Sequence, residues 1–292
     1  MRHNIFQHSF RRIGVGVGIV SVLAAGLLPL STGTASAQYG WPRCAVTSSP
    51  HTFAAGSAID DRYASDQALR NLLGAPTGPE RESEEGGVFL RNYAGPPEGP
   101  GILYSRGDTG VHEVHGLIKQ TMWNAGGHRA TGVPITDECP TAGFGGRYNH
   151  FSRGGTTPES SIYWRPGQWA YWVHDYGQGG YGIHRKWAES GWENGRYGWP
   201  TTNTMGLESG WYNHFAGDDW QGASIYWSPQ TGPHGVNGRI RDRWASLGWE
   251  RSYLGYPVSD EYDIPGGKRS DFVGGCVTWD RATGVVTDSG GC

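Results

Sequence analysis

The side chains that could do chemistry fall into a few groups. His112-Glu113-Val114-His115 puts two imidazoles and a carboxylate within four residues. It falls one residue short of the His-x-x-x-His spacing that sets two metal ligands on one helix face, so it reads as a strand-like connector. Asn149-His150 and Asn213-His214 recur beside aromatics. Each imidazole there can contact a polar ligand on the surface, or bond a neighbouring backbone carbonyl and lock a hairpin. Asp137-Glu138 and Asp260-Glu261 recur as well, each pair directly after a proline corner. Two carboxylates do acid–base work when their pKa values are pushed apart. Neighbours in a turn more often face solvent or cap backbone amides. Elements that recur at equivalent places point first to the fold, and catalytic residues are expected to be none.

The loop aromatics are different. Trp169, Tyr171, Trp172, Tyr176 and Tyr181 lie in or beside one segment rich in glycine, and Trp220 lies in Gly217-Asp218-Asp219-Trp220-Gln221. With His150 and His214 they form the candidate ligand-binding set, because rings flanked by Asp, Gln and Asn can stack on sugars while polar neighbours bond hydroxyls. Covering a gap between repeats is the competing role. There is no Gly-x-Ser-x-Gly elbow, no phosphate-cradling Gly-x-x-x-x-Gly-Lys and no His-Glu-x-x-His. No cofactor and no metal are expected.

These side chains need elements to position them. Arg2, Arg11 and Arg12 precede an apolar run from Ile13 to Leu30 that ends in Ala35-Ser36-Ala37, the layout of a secretory signal peptide spanning 1–37. Its removal takes the formal charge from −3 to −6, with the remaining basic residues scattered, which gives no footprint for nucleic acid. No later run is long enough to cross a bilayer, so a secreted, extracellular or wall-associated protein is expected. An exported chain with Cys44, Cys139, Cys276 and Cys292 should form two disulfides in one of three connectivities. Cys44–Cys139, pinning the N-terminal arm, and Cys276–Cys292, closing the last hairpin, are the preferred pairs.

Residues 38–58 read as an extended arm, and 59–292 as four repeats at about 59–116, 117–182, 183–238 and 239–292. Corners recur as Leu73-Gly74-Ala75-Pro76, Thr131-Gly132-Val133-Pro134, Tyr197-Gly198-Trp199-Pro200 and Leu254-Gly255-Tyr256-Pro257, with prolines 58, 66 and 57 residues apart. Upstream, Ile59/Tyr63, Ile183/Trp187 and Ile240/Trp244 are four apart, as on one helix face, and Ile118 with Trp123 is the nearest match in the second repeat. Downstream, Tyr93, Phe151, Phe215 and Phe272 precede a second aromatic run such as Ile225-Tyr226-Trp227, which reads as a hairpin. The extra length of the second repeat is an insertion, His174 to Gly182, expected to protrude as a loop.

A Leu-Gly-aromatic-Pro corner, an upstream Ile-x-x-x-Trp and a downstream Phe followed by Ile-Tyr-Trp resemble the LGFP repeat of actinobacterial envelope proteins, over Ile59 to about Cys292. No corner spells Leu-Gly-Phe-Pro in full. The resemblance implies tandem modules that help hold proteins in the cell envelope. It also implies an α+β fold of short helices and hairpins, four units in a pseudo-symmetric, propeller-like ring, with an open arc or solenoid as the alternative. One helix and one hairpin cannot bury both apolar faces, so neighbours must stack. The function expected is non-catalytic binding of the envelope, with cell-wall polysaccharide or peptidoglycan as partner. A cell-wall hydrolase and an extracellular interaction scaffold or inhibitor are the alternatives.

Overall fold

The computed structural model describes residues 44, 57–143, 145–218 and 221–292. The expected signal peptide, nearly all of the expected N-terminal arm, and Trp220 lie outside the described residues. Both preferred disulfides are present, Cys44–Cys139 and Cys276–Cys292.

Among the described residues four small antiparallel sheets follow one another along the chain, and none of them closes into a barrel. Sheet 1 is β1 (Arg81–Glu82), β2 (Val88–Tyr93), β3 (Gly101–Arg106) and β4 (Gly110–Val114) in chain order. Sheet 2 holds β5 (Val133–Pro134), β7 (Arg147–Ser152), β8 (Ser160–Trp164) and β9 (Tyr171–His174), with β6 (Cys139–Pro140) also pairing β7. Sheet 3 is β10 (Met205–Gly206), β11 (Trp211–Phe215), β12 (Ala223–Ser228) and β13 (Gly232–Asn237). Sheet 4 is β14 (Tyr262–Ile264), β15 (Gly267–Phe272), β16 (Gly275–Asp280) and β17 (Val286–Ser289). The expected hairpin is therefore the middle of a larger sheet. The connector holding His112 is its last strand, β4, and short strands near the corner form its first edge.

Each corner glycine has positive φ: 64° at Gly74, 87° at Gly132, 68° at Gly198 and 68° at Gly255. Side-chain-bearing residues rarely adopt that backbone, which is why glycine recurs there. The following proline then pairs antiparallel with the aromatic of the hairpin, as Pro76–Tyr93, Pro134–Phe151, Pro200–Phe215 and Pro257–Phe272. Proline is tolerated there because it sits at a non-hydrogen-bonded position: the residues on either side carry the ladder bonds, as Ala75 and Thr77 do around Pro76, so its missing N–H costs none.

Helices α1 (Ser57–Ser65), α3 (Gly116–Asn124), α5 (Ile183–Glu189) and α6 (Gly238–Leu247) precede the corners; α2 (Gln67–Leu73) and α4 (His128–Thr131) are short additions in the first two repeats. The helix aromatic reaches the corner: Tyr63 Oη donates to the Gly74 carbonyl at 2.5 Å and Trp187 Nε1 to that of Gly198 at 3.0 Å. In the second repeat the match was one residue off. Trp123 is 60% exposed, and Met122, four residues after Ile118, is the one buried at 1%. The helical face is set by what it packs on, and Met122 continues the Ile118 stripe where Trp123 leaves it.

The core is divided among the junctions. Tyr163 and Val173 of sheet 2 share a cluster with Ile183, Trp187, Tyr197 and Trp199 of the next repeat. Tyr226 and Val236 of sheet 3 cluster in the same way with Ile240, Trp244 and Leu254. At the first junction Leu90, Ile102, Tyr104 and Val114 meet Ile118, Met122 and Val133. Sheets 1, 2 and 3 are each covered by the helix and corner that follow them, as stacked repeats require.

Candidate functional site

The carboxylates after the corners are staples between repeats. Asp137 Oδ1 accepts the Glu113 N–H at 3.2 Å, and Asp260 Oδ1 accepts the Gly235 N–H at 2.8 Å. At the second junction Asn203 Oδ1 accepts the Trp172 N–H at 2.9 Å. All three acceptors stand three residues after their proline and bond the last strand of the preceding sheet, β4, β9 or β13, blunting its edge.

A second layer faces these staples. Arg62, one residue before Tyr63, pairs with Asp137 at 2.6 Å, and Lys186, one before Trp187, pairs with Asp260 at 2.7 Å. The corresponding residue before Met122 is Thr121, whose hydroxyl donates to the Ala170 carbonyl at 3.1 Å. At the second junction both charges are thus missing together: threonine stands for the cation and asparagine for the acid.

Where the ion pair is missing there is a groove of about 370 Å³, lined by Thr121, Asn124, Trp169, Tyr171, Trp172, Asn203, Thr204 and Met205 among others. Trp169 is 65% exposed in the turn between β8 and β9, and Met205 is exposed opposite it. Trp172 is half-buried and packs against the first-junction core, with its ring 4.1 Å from that of His174. The groove is lined by two amides, three hydroxyls and three rings, with no formal charge among the residues named. Thr121 and Asn203 were not legible as site residues. The signal was there in the comparison of repeats, in the uncharged residues at two positions that carry opposite charges elsewhere.

The remaining sequence candidates are not in the groove. Tyr176 lies under Arg153, whose guanidinium is 3.5 Å from the ring centre, and its hydroxyl donates to the Thr131 carbonyl at 2.6 Å. Tyr181 is exposed beside α5 and bonds Glu189 at 2.8 Å. His150 is buried in the second junction, and His214 is partly buried in the third. Their Nδ1 atoms bond Ser161 Oγ at 2.6 Å and Ser224 Oγ at 2.7 Å, in place of the expected carbonyls. Burial pushes the His150 imidazole down to about 3 and that of His214 to about 4. Both are neutral at physiological pH and serve the fold.

The insertion does more than protrude. Gln178 is buried, and its Oε1 accepts the Ile183 N–H at 2.8 Å; Asp175 Oδ1 accepts that of His184 at 2.7 Å, and Oδ2 that of Arg185 at 3.1 Å. The first turn of a helix has N–H groups with no partner inside it, and the insertion supplies acceptors for three of them on α5.

One constellation escaped the sequence reading. Ser161 Oγ lies 2.7 Å from His184 Nε2, and His184 Nδ1 lies 3.9 Å from Asp175 Oδ2, the order of a nucleophile, a base and an orienting acid. The Asp175 distance is too long for a hydrogen bond, and Ser161 is 0% exposed. At the next junction Arg241 Nε donates to the equivalent Ser224 at 2.7 Å. The position is a buried polar contact between repeats, filled by histidine once and arginine once.

Sheets of one design, joined by glycine–proline corners and stapled in register to the sheet before, define a tandem-repeat protein. The model of the LGFP repeat matches residues 132–195, 198–252 and 254–290, more than half of the chain, and the chain belongs to that family. The first two matched segments run from a corner through its sheet to the next helix and the third from its corner through sheet 4, and sheet 1, ahead of them, has the same corner and strand order. Comparison with curated proteins returns no match. Among the described residues no helix is long and apolar enough to cross a membrane.

Proposed function

We propose that the protein binds cell-envelope glycan without transforming it, through the uncharged groove at the second junction. The observation that carries this reading is the groove itself. Where the other junctions hold an ion pair, this one presents Trp169 at 65% exposure above the hydroxyls and amides of Thr121, Asn124, Asn203 and Thr204. A neutral polyhydroxyl chain suits such a surface, because rings cover its C–H faces and amides exchange hydrogen bonds with its hydroxyls. Disulfides and the apolar leader in the sequence support an extracellular setting.

Co-sedimentation with purified cell-wall polysaccharide and peptidoglycan tests it. Trp169→Ala is expected to weaken retention about ten-fold. It should leave the melting temperature nearly unchanged, because the ring is exposed. Trp172→Ala is a poorer probe, since that ring also packs on the core. The pair Thr121→Lys with Asn203→Asp recreates the ion pair of the other junctions and should abolish retention in a folded protein. Undiminished retention in both variants removes the groove from the site, and release of soluble sugars or peptides overturns binding without reaction.

We infer as well that the four sheets form an open arc rather than a closed ring. Tyr104, Tyr163 and Tyr226 receive the following repeat, but Thr278 stands at that register, between Arg269 and Thr287, and offers no ring for the first repeat to close upon.

A further inference from the structure

Among the described residues, the first junction lacks a ring that the other two have. At the second, Trp192 stacks with Tyr163 at 6.3 Å between centroids and 19° between planes; at the third, Trp249 stacks with Tyr226 at 6.0 Å and 20°. Each follows a glycine of positive φ, Gly191 at 100° and Gly248 at 106°, and itself has φ of 56° or 58°. Left-handed backbone costs a side-chain-bearing residue about 1–2 kcal/mol. Among the described residues these two tryptophans are the ones that adopt it, so their rings are worth placing.

The first junction builds the same turn from Gly126, φ 111°, and Gly127, φ 70°. Gly127 comes five residues after Met122, as Trp192 does after Trp187 and Trp249 after Trp244. The receiving tyrosine is in place, as Tyr104. Among the described residues no indole lies on it, and a Cβ on Gly127 would meet nothing within 4 Å. A cavity of about 380 Å³ remains, lined by Leu90, Tyr104, Trp123 and Gly127. His128 borders it without stacking: its ring is inclined 58° to Tyr104, and its Nε2 is bonded to Ser83 Oγ at 2.8 Å.

We propose that this cavity is a binding site for an indole ring, supplied by a tryptophan side chain of a partner polypeptide. The two sister junctions show the occupant that the design takes, an indole lying flat on the tyrosine. The rim carries Arg81 and Arg129 against Glu82 and Glu84, a balanced charge that suits a neutral ring on a polar backbone. Trp123, 60% exposed at the mouth, adds a second ring for the incoming one to pack on.

N-acetyl-tryptophanamide is the probe, followed by the methyl resonances of Leu90 in the full chain. Saturable shifts are expected in the parent protein, and Trp123→Ser should weaken binding several-fold while leaving the fold intact. Gly127→Trp supplies the ring internally. It should move the Leu90 methyls upfield without probe and weaken probe binding by about ten-fold or more. No saturable shift at Leu90 in the parent overturns the proposal, as does full probe binding by a folded Gly127→Trp protein. Should that variant not fold, unchanged affinity in Trp123→Ser overturns it as well.

Discussion

Trp187→Ala is expected to destabilise the protein by about 3–5 kcal/mol, the range for deleting a fully buried large aromatic. Trp187 is 0% exposed and contacts Tyr163, Trp192 and Phe215 with centroids 4.8, 5.2 and 5.6 Å away, so the cavity would open between two repeats. Its indole also donates to the Gly198 carbonyl, which would lose that partner. The contrast is Trp123→Ala, the same change at the residue whose place in the sequence suggested equivalence. That ring is mostly exposed, and its removal should stay within about 0.5 kcal/mol. Met122→Ala should cost about 2–5 kcal/mol in its stead. Urea melts of the three variants decide the matter: comparable losses for Trp187 and Trp123 would refute the assignment of Met122 as the buried residue.

That one-residue difference shows how far the sequence could be read. The corners were legible because a positive φ demands glycine and because the proline and the hairpin aromatic pair across the strand, so spacing carried the geometry. Both disulfides were legible because few cysteines were present and each preferred pair had a plain mechanical role. Helical phase was not legible in the second repeat. Met122 and Trp123 are adjacent, both apolar, and the aromatic matched the other repeats better by type. Only contact with Ile118, Tyr104 and Val133 settles which of them faces inward.

The outer strands were missed for a related reason. β1, β6 and β10 are two residues each, too short for alternation to register, and they exist because β2, β7 and β11 present an edge to pair with. Of the candidate site, the aromatics Trp169, Tyr171 and Trp172 do come together. Tyr176 lies 6.1 Å from Trp172 between ring centres but does not line the groove, and Tyr181 is held away by Glu189, because the insertion turns back to cap α5. Thr121 and Asn203 have no chemistry of their own to flag them. They acquire meaning from Arg62, Asp137, Lys186 and Asp260, which hold the equivalent places.

The first junction, the more buried of the two that hold an ion pair, should respond to pH, and Asp137→Ala should be a costly change there. Asp137 receives a two-pronged contact from Arg62, Nη1 to Oδ1 at 2.8 Å and Nη2 to Oδ2 at 2.6 Å, with His112 Nδ1 3.4 Å away. Arg62 is 5% exposed, so losing the carboxylate leaves a guanidinium buried without its counter-charge, at about 3–5 kcal/mol. The sister pair Lys186–Asp260 is more open to water, and Asp260→Ala should cost less. Burial pushes the Asp137 carboxyl up, but the Arg62 charge and the His112 and Arg62 bonds outweigh it and hold it well below the usual range. A depressed carboxyl adds stability that is present above its unfolded value, near 3.8, and is lost as pH falls toward the folded value. On the alkaline side the neighbours act in the opposite sense. Burial, with the Glu113 charge, raises Glu138, whose folded form therefore keeps its proton above 4.5 and loses stability as pH climbs. Burial lowers His115, but its bond to Glu113 at 2.8 Å and that charge prevail and raise it to about 9. The His115 contribution is complete below 6.5 and fades as pH passes about 9. Stability from this junction should therefore be greatest between the two limits, with acid loss removed in Asp137→Ala and alkaline loss reduced in Glu138→Gln. Denaturant midpoints measured from pH 3 to pH 9 on the three proteins test both limbs, and parallel profiles would mean that these groups do not set the pH response.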